Sequence, residues 1–172
     1  GRITCDKGFS LYCEIIELVL SQTGSSKFLL VGDGSYLETV KTRLSDYIEQ
    51  GLVLCLGFRE DVSEINLLAD IYLNPSLHET LSISTMEAMS AGLAAVVTDD
   101  GGLKELVVEG KTGFRCEAIS PSCYAERLMR LSSSVDLRKS MGRLARERIE
   151  TSLSEASIAK KLSKIYSRVL DV

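Results

Sequence analysis

The chain has 172 residues, 45% of them hydrophobic and only two of them proline, with a formal net charge of −4. That length buries a real core in one domain or slightly more, and that composition excludes a disordered chain. The acidic balance argues against a general nucleic-acid binder, which needs a basic face, so any phosphate site must be local.

Gly1-Arg2-Ile3-Thr4 has no initiator Met and reads as the tail of a strand already under way, the pattern of a fragment of a longer protein. Residues 8–20 are predicted as a helix with Leu11, Ile15, Leu18 and Val19 on one face. Residues 27–31 form a buried strand stopped by Gly32-Asp33-Gly34. A helix over about residues 36–49 follows, then a strand at 52–56 closed by Gly57.

Asp61 is placed to cap a short helix running to Ala69, because its side chain can accept from the free N–H groups of the first turn. Residues 71–73 make the next strand. A helix over 82–91 with Gly92 as its stop, a strand at 94–97, a short helix through Val107 and a last strand at 114–116 complete the alternation. From Ser120 the chain turns helical, and Ile158, Leu162, Ile165 and Val169 fall on one stripe that must pack on something, the sheet or an absent domain.

Strands alternating with helices predict an α/β fold, a Rossmann-like parallel sheet of about six strands flanked by helices, with a helical C-terminal extension. No linker divides residues 1–172, which read as a single domain.

Five cysteines (Cys5, Cys13, Cys55, Cys116 and Cys123) form no Cys-x-x-Cys pair, and His78 is the one histidine. Neither a zinc site nor a disulfide framework is expected, and Cys55 reads as a small core residue in a reducing compartment. No apolar run approaches the ~20 residues of a membrane span, and nothing resembles a signal peptide. The expected location is cytoplasmic, or the cytoplasmic face of a membrane.

Ligands in open parallel sheets collect at the carboxyl ends of strands. Gly32-Asp33-Gly34, Gly57-Phe58-Arg59, the stretch from Pro75 to Ser82 and the stretch from Thr98 to Gly102 all come directly after strands and converge on one rim. Gly32 and Gly34 admit a ligand close to the backbone, although a plain tight turn explains them as well; the third glycine of a dinucleotide fingerprint is absent.

Glu79 precedes the helix over 82–91 and Glu87 lies in its second turn, so a carboxylate stands on either side of a helix N-terminus suited to phosphate. Glu87 has Met86, Ala88 and Met89 beside it, and an acid buried there needs hydroxyl partners. Lys7 and Arg2 are two cations able to neutralise a diphosphate. Asp99-Asp100 is not an Asp-x-Asp metal chelate, so no essential metal and no cofactor are expected. The pair Gly101-Gly102 either offers backbone to a ligand or makes a sharp strand-to-helix turn.

These residues together resemble the C-terminal, donor-binding half of a retaining family 4 glycosyltransferase of the GT-B fold. The resemblance rests on Gly1-Arg2 with Lys7-Gly8, Val31-Gly32-Asp33-Gly34, Leu56-Gly57, Pro75-Ser76, Glu79-x7-Glu87-Ala88-Met89-x-x-Gly92, Asp99-x-Gly101-Gly102 and Gly110-x-Thr112-Gly113. It implies that Arg2 and Lys7 hold the donor diphosphate, that Glu79 contacts the transferred sugar and Glu87 the ribose, and that Phe58 and Arg59 lie by the base. Backbone N–H groups of Thr80, Leu81, Ser82 and Ile83 would cap the phosphates, with Ser76 and His78 on the same loop. Where the family commonly has Gly-Phe-Gly after the first glutamate, this chain has Thr80-Leu81-Ser82.

The implied donor is a UDP-sugar or GDP-sugar, transferred with retention and without metal to a glycan or lipid-linked acceptor bound by an absent N-terminal domain. Peripheral membrane association is assigned to that absent half, since no basic amphipathic stripe stands out here. Competing readings are a nucleotide-binding module without catalysis, a sugar-nucleotide epimerase, or a phosphorylase, which would need a pyridoxal phosphate lysine.

Overall fold

The structure is a computed structural model describing residues 1–170. A 3-10 turn, Cys5–Lys7, leads into α1 (Phe9–Thr23), followed by β1 (Phe28–Val31), α2 (Leu37–Arg43), α3 (Ser45–Glu49) and β2 (Val53–Gly57). Then come α4 (Val62–Leu68), β3 (Ile71–Asn74), α5 (Ile83–Ser90), β4 (Ala94–Thr98), α6 (Gly101–Leu106) and β5 (Gly113–Cys116). Helices α7 (Pro121–Ser132), α8 (Val135–Arg148) and α9 (Glu155–Leu170) complete the order, with a π-helical turn, Ile149–Leu153, before the last.

Every strand pairing is parallel, as the βα alternation predicts, and strand β4 shows why. All five of its residues are buried, the continuous apolar run of a strand covered on both faces. Ala94 and Val96 pack with Ile15 of α1 and with Tyr124 and Leu128 of α7. Ala95 and Val97 point the other way, against Met89 of α5, Leu103 of α6 and Ala145 of α8. Side chains alternate along a strand, so one apolar run nails helices to both sides.

The strand count corrects the expectation of about six. Among the described residues five strands form two sheets, in the orders β1-β2 and β3-β4-β5. The N-terminal tail makes a single isolated bridge, Arg2 with Asp33, because the 3-10 turn at Cys5 ends its extended run at once.

Other differences are local. The helix expected over 36–49 is broken at Leu44, whose φ and ψ of −100° and 17° leave the helical region. Asp61 takes the N-cap position of α4 but its side chain makes no bond to the first turn; the carboxylate accepts from Arg59 instead, Nε to Oδ1 at 2.8 Å. Cys116 and Cys123 are joined in a disulfide, a pairing not expected from the spacing of the five cysteines: the end of β5 and the first turn of α7 bring their Cα atoms to 5.8 Å. Cys55 is half-buried beside the α1 and α2 core.

Of the two partners expected for the α9 stripe, the sheet is not the one it meets. No residue of α9 is buried, and Ile158, Leu162, Ile165 and Val169 are 44–66% exposed. Lys160, Lys161, Lys164 and Arg168 occupy its flanking and opposite faces, so it is a basic amphipathic helix after all. No helix among the described residues is long and apolar enough to cross a membrane.

Candidate functional site

The site begins where β3 ends. Asn74, Pro75 and Ser76 are buried, and the Asn74 side chain organises the loop that leads from β3 to α5. Its amide nitrogen donates to the hydroxyls of Ser82 (3.1 Å) and Thr85 (3.2 Å), while its carbonyl accepts from the Ser76 backbone N–H (3.1 Å). Ser82 caps α5, accepting from the Thr85 N–H at 3.4 Å and from the Thr85 hydroxyl at 2.8 Å. The Tyr72 hydroxyl donates to Ser84 at 2.9 Å, and burial pushes its pKa upward. Buried polar groups persist only when partnered, so this network ties the end of β3 to the start of α5 and fixes the loop between.

Two glycines hold that loop from below. The Gly102 N–H donates to the Glu79 carbonyl at 2.7 Å. A Cβ at Gly101 or Gly102 would collide with the carbonyl oxygens of Glu79 and Thr80. Gly101-Gly102 therefore serves as a backbone cradle for the loop, more than the plain turn or the ligand contact read from the sequence.

On the open side of the loop stand the charges. Lys7, last residue of the 3-10 turn, places its Nζ 3.0 Å from Glu79 Oε2, with 24% and 15% of the two side chains exposed. Both line a cavity of about 1090 Å³ whose wall also includes Arg2, Glu87, Leu81 and Ile83. Glu87 is exposed to that cavity: its neighbours Ala88 and Met89 turn into the core and it does not, so the expectation of a buried acid is corrected. Its carboxylate acts on the Gly1 amine, whose pKa is lowered by loss of hydration and partly restored by Glu87. Cations beside a helix N-terminus suit an anion, and two carboxylates facing one cavity suit hydroxyl groups.

Of the expected site residues, Arg2, Lys7, Glu79, Leu81, Ser82, Ile83 and Glu87 come together on this wall. Ser82 does so with its hydroxyl already engaged. His78 and Thr80 are exposed on the same loop, and Ser76 is 2% exposed with an Oγ lacking a hydrogen-bond partner among the described residues. The open faces of Gly32 and Gly34 meet the backbone of Gly1 and Ile3, so these glycines admit the N-terminal tail. Phe58 is 74% exposed, and Arg59 is paired with Asp61, both beyond β2 and off the cavity wall.

Asn74, Thr85 and the cradle role of Gly101-Gly102 escaped sequence reasoning. Two signals were present: an Asn-Pro pair directly after a strand, and a Ser three residues ahead of a hydroxyl in a helix's first turn.

Residues 1–148 match the family described as Glycosyl transferases group 1. The chain is 30% identical over 145 residues to N-acetyl-alpha-D-glucosaminyl L-malate synthase of Bacillus anthracis, covering 84% of this chain and 38% of that protein. It is 27% identical over 175 residues to the capsular polysaccharide biosynthesis glycosyltransferase CapM of Staphylococcus aureus, covering 99% of this chain and 45% of CapM. The chain thus spans less than half the length of either relative. Among solved structures it superposes on Anabaena HepE, described in complex with UDP, with a TM-score of 0.87 at 20% identity, over 98% of this chain and 47% of HepE. The C-terminal domain of the Francisella tularensis protein LpcC superposes with a TM-score of 0.80 at 21% identity, over 90% of this chain and 84% of that domain.

Proposed function

Because the chain belongs to the glycosyl transferases group 1 family, we propose that it is the donor-binding half of a retaining, metal-independent glycosyltransferase. The donor is a nucleoside-diphosphate sugar with uridine or guanosine as base, and the acceptor is a glycan or lipid-linked glycan held by a second domain. The observation that carries this reading is the Lys7–Glu79 pair, which sets one cation and one carboxylate on the same cavity wall beside the N-terminus of α5. HepE, of the same fold, is described as a UDP complex, which supports a nucleotide as ligand.

Lys7 and Arg2 hold the diphosphate, and backbone N–H groups at the start of α5 face the same oxygens. The leaving diphosphate gains charge as the sugar departs, so donors already aimed at it lower the barrier, each worth about 3 kcal/mol. Glu79 orients the sugar through its hydroxyls and Glu87 holds the ribose. The second domain brings the acceptor and excludes water that would hydrolyse the donor.

Calorimetric titration with UDP, GDP and their sugar conjugates tests this reading. Micromolar to millimolar binding of one nucleoside diphosphate, weakened by Lys7→Ala, is the expected result. Absence of binding by every nucleotide at millimolar concentration overturns it.

A further inference from the structure

Helix α6 carries the cradle under the Glu79 loop, yet little in its own sequence holds it in place. It has six residues, two of them glycine. An isolated helix is marginal below ~12 residues, and glycine is among the poorest helix formers. Leu103 and Leu106 anchor one face in the core beside Met89 and Ala145, but apolar packing is non-directional and leaves the position along the helix axis to polar contacts. Asp100 occupies the N-cap position, and its side chain makes no bond to the first turn. The Gly102 N–H, one of the donors that a helix start leaves free, goes instead to the Glu79 carbonyl at 2.7 Å. The backbone of Glu79 thus caps α6 from another loop, and a shift of α6 is felt there.

Two arginines close the other end. Val107 is extended (φ −97°, ψ 121°), so no left-handed residue folds back over the last carbonyls. The Leu103 carbonyl accepts from the Val107 N–H at 3.0 Å, and side chains from outside the helix meet the remaining three carbonyls of the last turn. Arg148, the last residue of α8, donates from Nε to the Leu106 carbonyl (2.9 Å) and from Nη2 to the Glu105 carbonyl (2.7 Å). Arg115 of β5 donates from Nη1 to the Lys104 carbonyl (3.4 Å), with the same nitrogen 3.3 Å from Asp99 Oδ1. All four carbonyls that a helix end leaves free are therefore engaged, and two positive charges stand at the negative end of the helix dipole. Arg148 is half-buried and grips two carbonyls with one planar fork, a geometry that a lysine ammonium does not reproduce.

We propose that Arg148 is a positioning residue for Glu79, acting through α6: the arginine fixes α6 along its axis, α6 holds the Glu79 backbone, and Glu79 faces the transferred sugar. Arg115 steadies the same helix from the sheet edge. The part given to the sugar rests on the glycosyltransferase reading, whereas the hold of Arg148 on the loop does not. Lys7 and the start of α5 are secured separately, Lys7 by the turn before α1 and α5 by the bonds of Ser82 to Asn74 and Thr85. Loss of Arg148 loosens the loop rather than displacing it. Its effect is therefore largest where geometry matters most, at the sugar hydroxyls that Glu79 meets, and small on the nucleotide.

The test compares Arg148→Ala and Arg148→Lys with two controls on α8. Arg146→Ala removes a charge whose partner is Glu150, and Met141→Ala thins a core cluster that includes no residue of α6. The readouts are hydrogen exchange of the Gly102 amide, melting temperature, and calorimetric affinity for UDP, GDP, UDP-glucose and GDP-glucose. Arg148→Ala is expected to speed Gly102 exchange about tenfold or more, to weaken the bound sugar nucleotide about tenfold and to weaken its bare nucleotide less than about threefold. Arg148→Lys recovers part of each, and Arg146→Ala changes none. Met141→Ala lowers the melting temperature while Gly102 exchange and the preference for the sugar conjugate stay as in wild type. Unchanged Gly102 exchange in Arg148→Ala overturns the proposal, as does equally fast exchange in Met141→Ala, which would reduce the effect to lost stability. Faster exchange with the sugar preference intact overturns the link to Glu79. If Arg148→Ala does not fold, Arg148→Lys and Arg148→Gln carry the same comparisons. A wild-type protein that binds no nucleotide defeats the glycosyltransferase reading instead, and Gly102 exchange still decides whether Arg148 holds the loop.

Discussion

Lys7 Nζ lies 3.0 Å from Glu79 Oε2, joining the turn before α1 to the loop after β3 across 72 residues. An anion entering the cavity competes with Glu79 for this ammonium, and the two side chains play separable parts. Lys7→Ala is expected to weaken UDP binding about tenfold or more, the loss of one charge-assisted contact worth at least about 1.4 kcal/mol. Glu79→Gln is expected to hold UDP affinity within about threefold while abolishing any difference between UDP and a UDP-sugar. Calorimetry of the four combinations decides it; equal losses for both variants on UDP would show that the pair acts only as a structural bridge.

Asn74 spends both amide donors and its acceptor on Ser82, Thr85 and Ser76. Asn74→Ala leaves the buried Ser76 N–H without its acceptor and removes one donor each from the Ser82 and Thr85 hydroxyls, which keep their bond to each other, a loss of about 1–3 kcal/mol of stability. Denaturant midpoints measure it. The same substitution loosens the Glu79 loop, so nucleotide affinity falls alongside. A midpoint shift with affinity untouched would mean that the network serves the core alone.

The contrast between Lys7 and Asn74 explains what was legible in the sequence. Lys7, Glu79 and Glu87 are charged residues at strand ends or helix starts, and position along a βα repeat places such residues on one rim without knowledge of packing. Asn74 and Thr85 act through burial, which emerges only once β3, α5 and the cradle at Gly102 are packed together. Glu87 misled for a related reason. The apolar letters around it described the opposite face of α5, and one turn of helix is enough to put Ala88 and Met89 in the core and Glu87 outside. Gly32 and Gly34 have the spacing of a turn open to a ligand, whereas their bare faces accommodate the backbone of the N-terminal tail, a long-range contact that no local pattern reveals.

Gly102 carries no unusual φ, so substitution there tests sterics alone. A methyl group meets the Thr80 carbonyl oxygen and the Thr80 carbonyl carbon at 2.8 Å, both backbone atoms that cannot rotate away. Gly102→Ala is expected to shift the 79–82 loop, costing about 1–3 kcal/mol as over-packing does, and to abolish detectable nucleotide binding. Thermal melts and calorimetry on one preparation measure both. Wild-type binding in the variant would detach the cradle from the site.

Cys13 sits on α1 with 1% of its surface exposed, and burial pushes its thiol from the ordinary 9.0 up to about 11, with nearby Arg43 pulling weakly the other way. A group whose pKa is raised on folding contributes its full stability below its unfolded pKa and loses it as pH rises through the folded one. Stability attributable to Cys13 is therefore intact below pH 9.0, falls between 9.0 and about 11, and is level above. The loss is about 2–3 kcal/mol across that window. Cys13→Ala costs stability at neutral pH by leaving a small cavity, about 1 kcal/mol, and removes this part of the alkaline slope. Urea denaturation at pH 8, 10 and 11 separates the two effects, and parallel slopes for wild type and Cys13→Ala would place the alkaline sensitivity elsewhere, with Tyr12 and Cys55, which burial also raises, as the next groups to substitute.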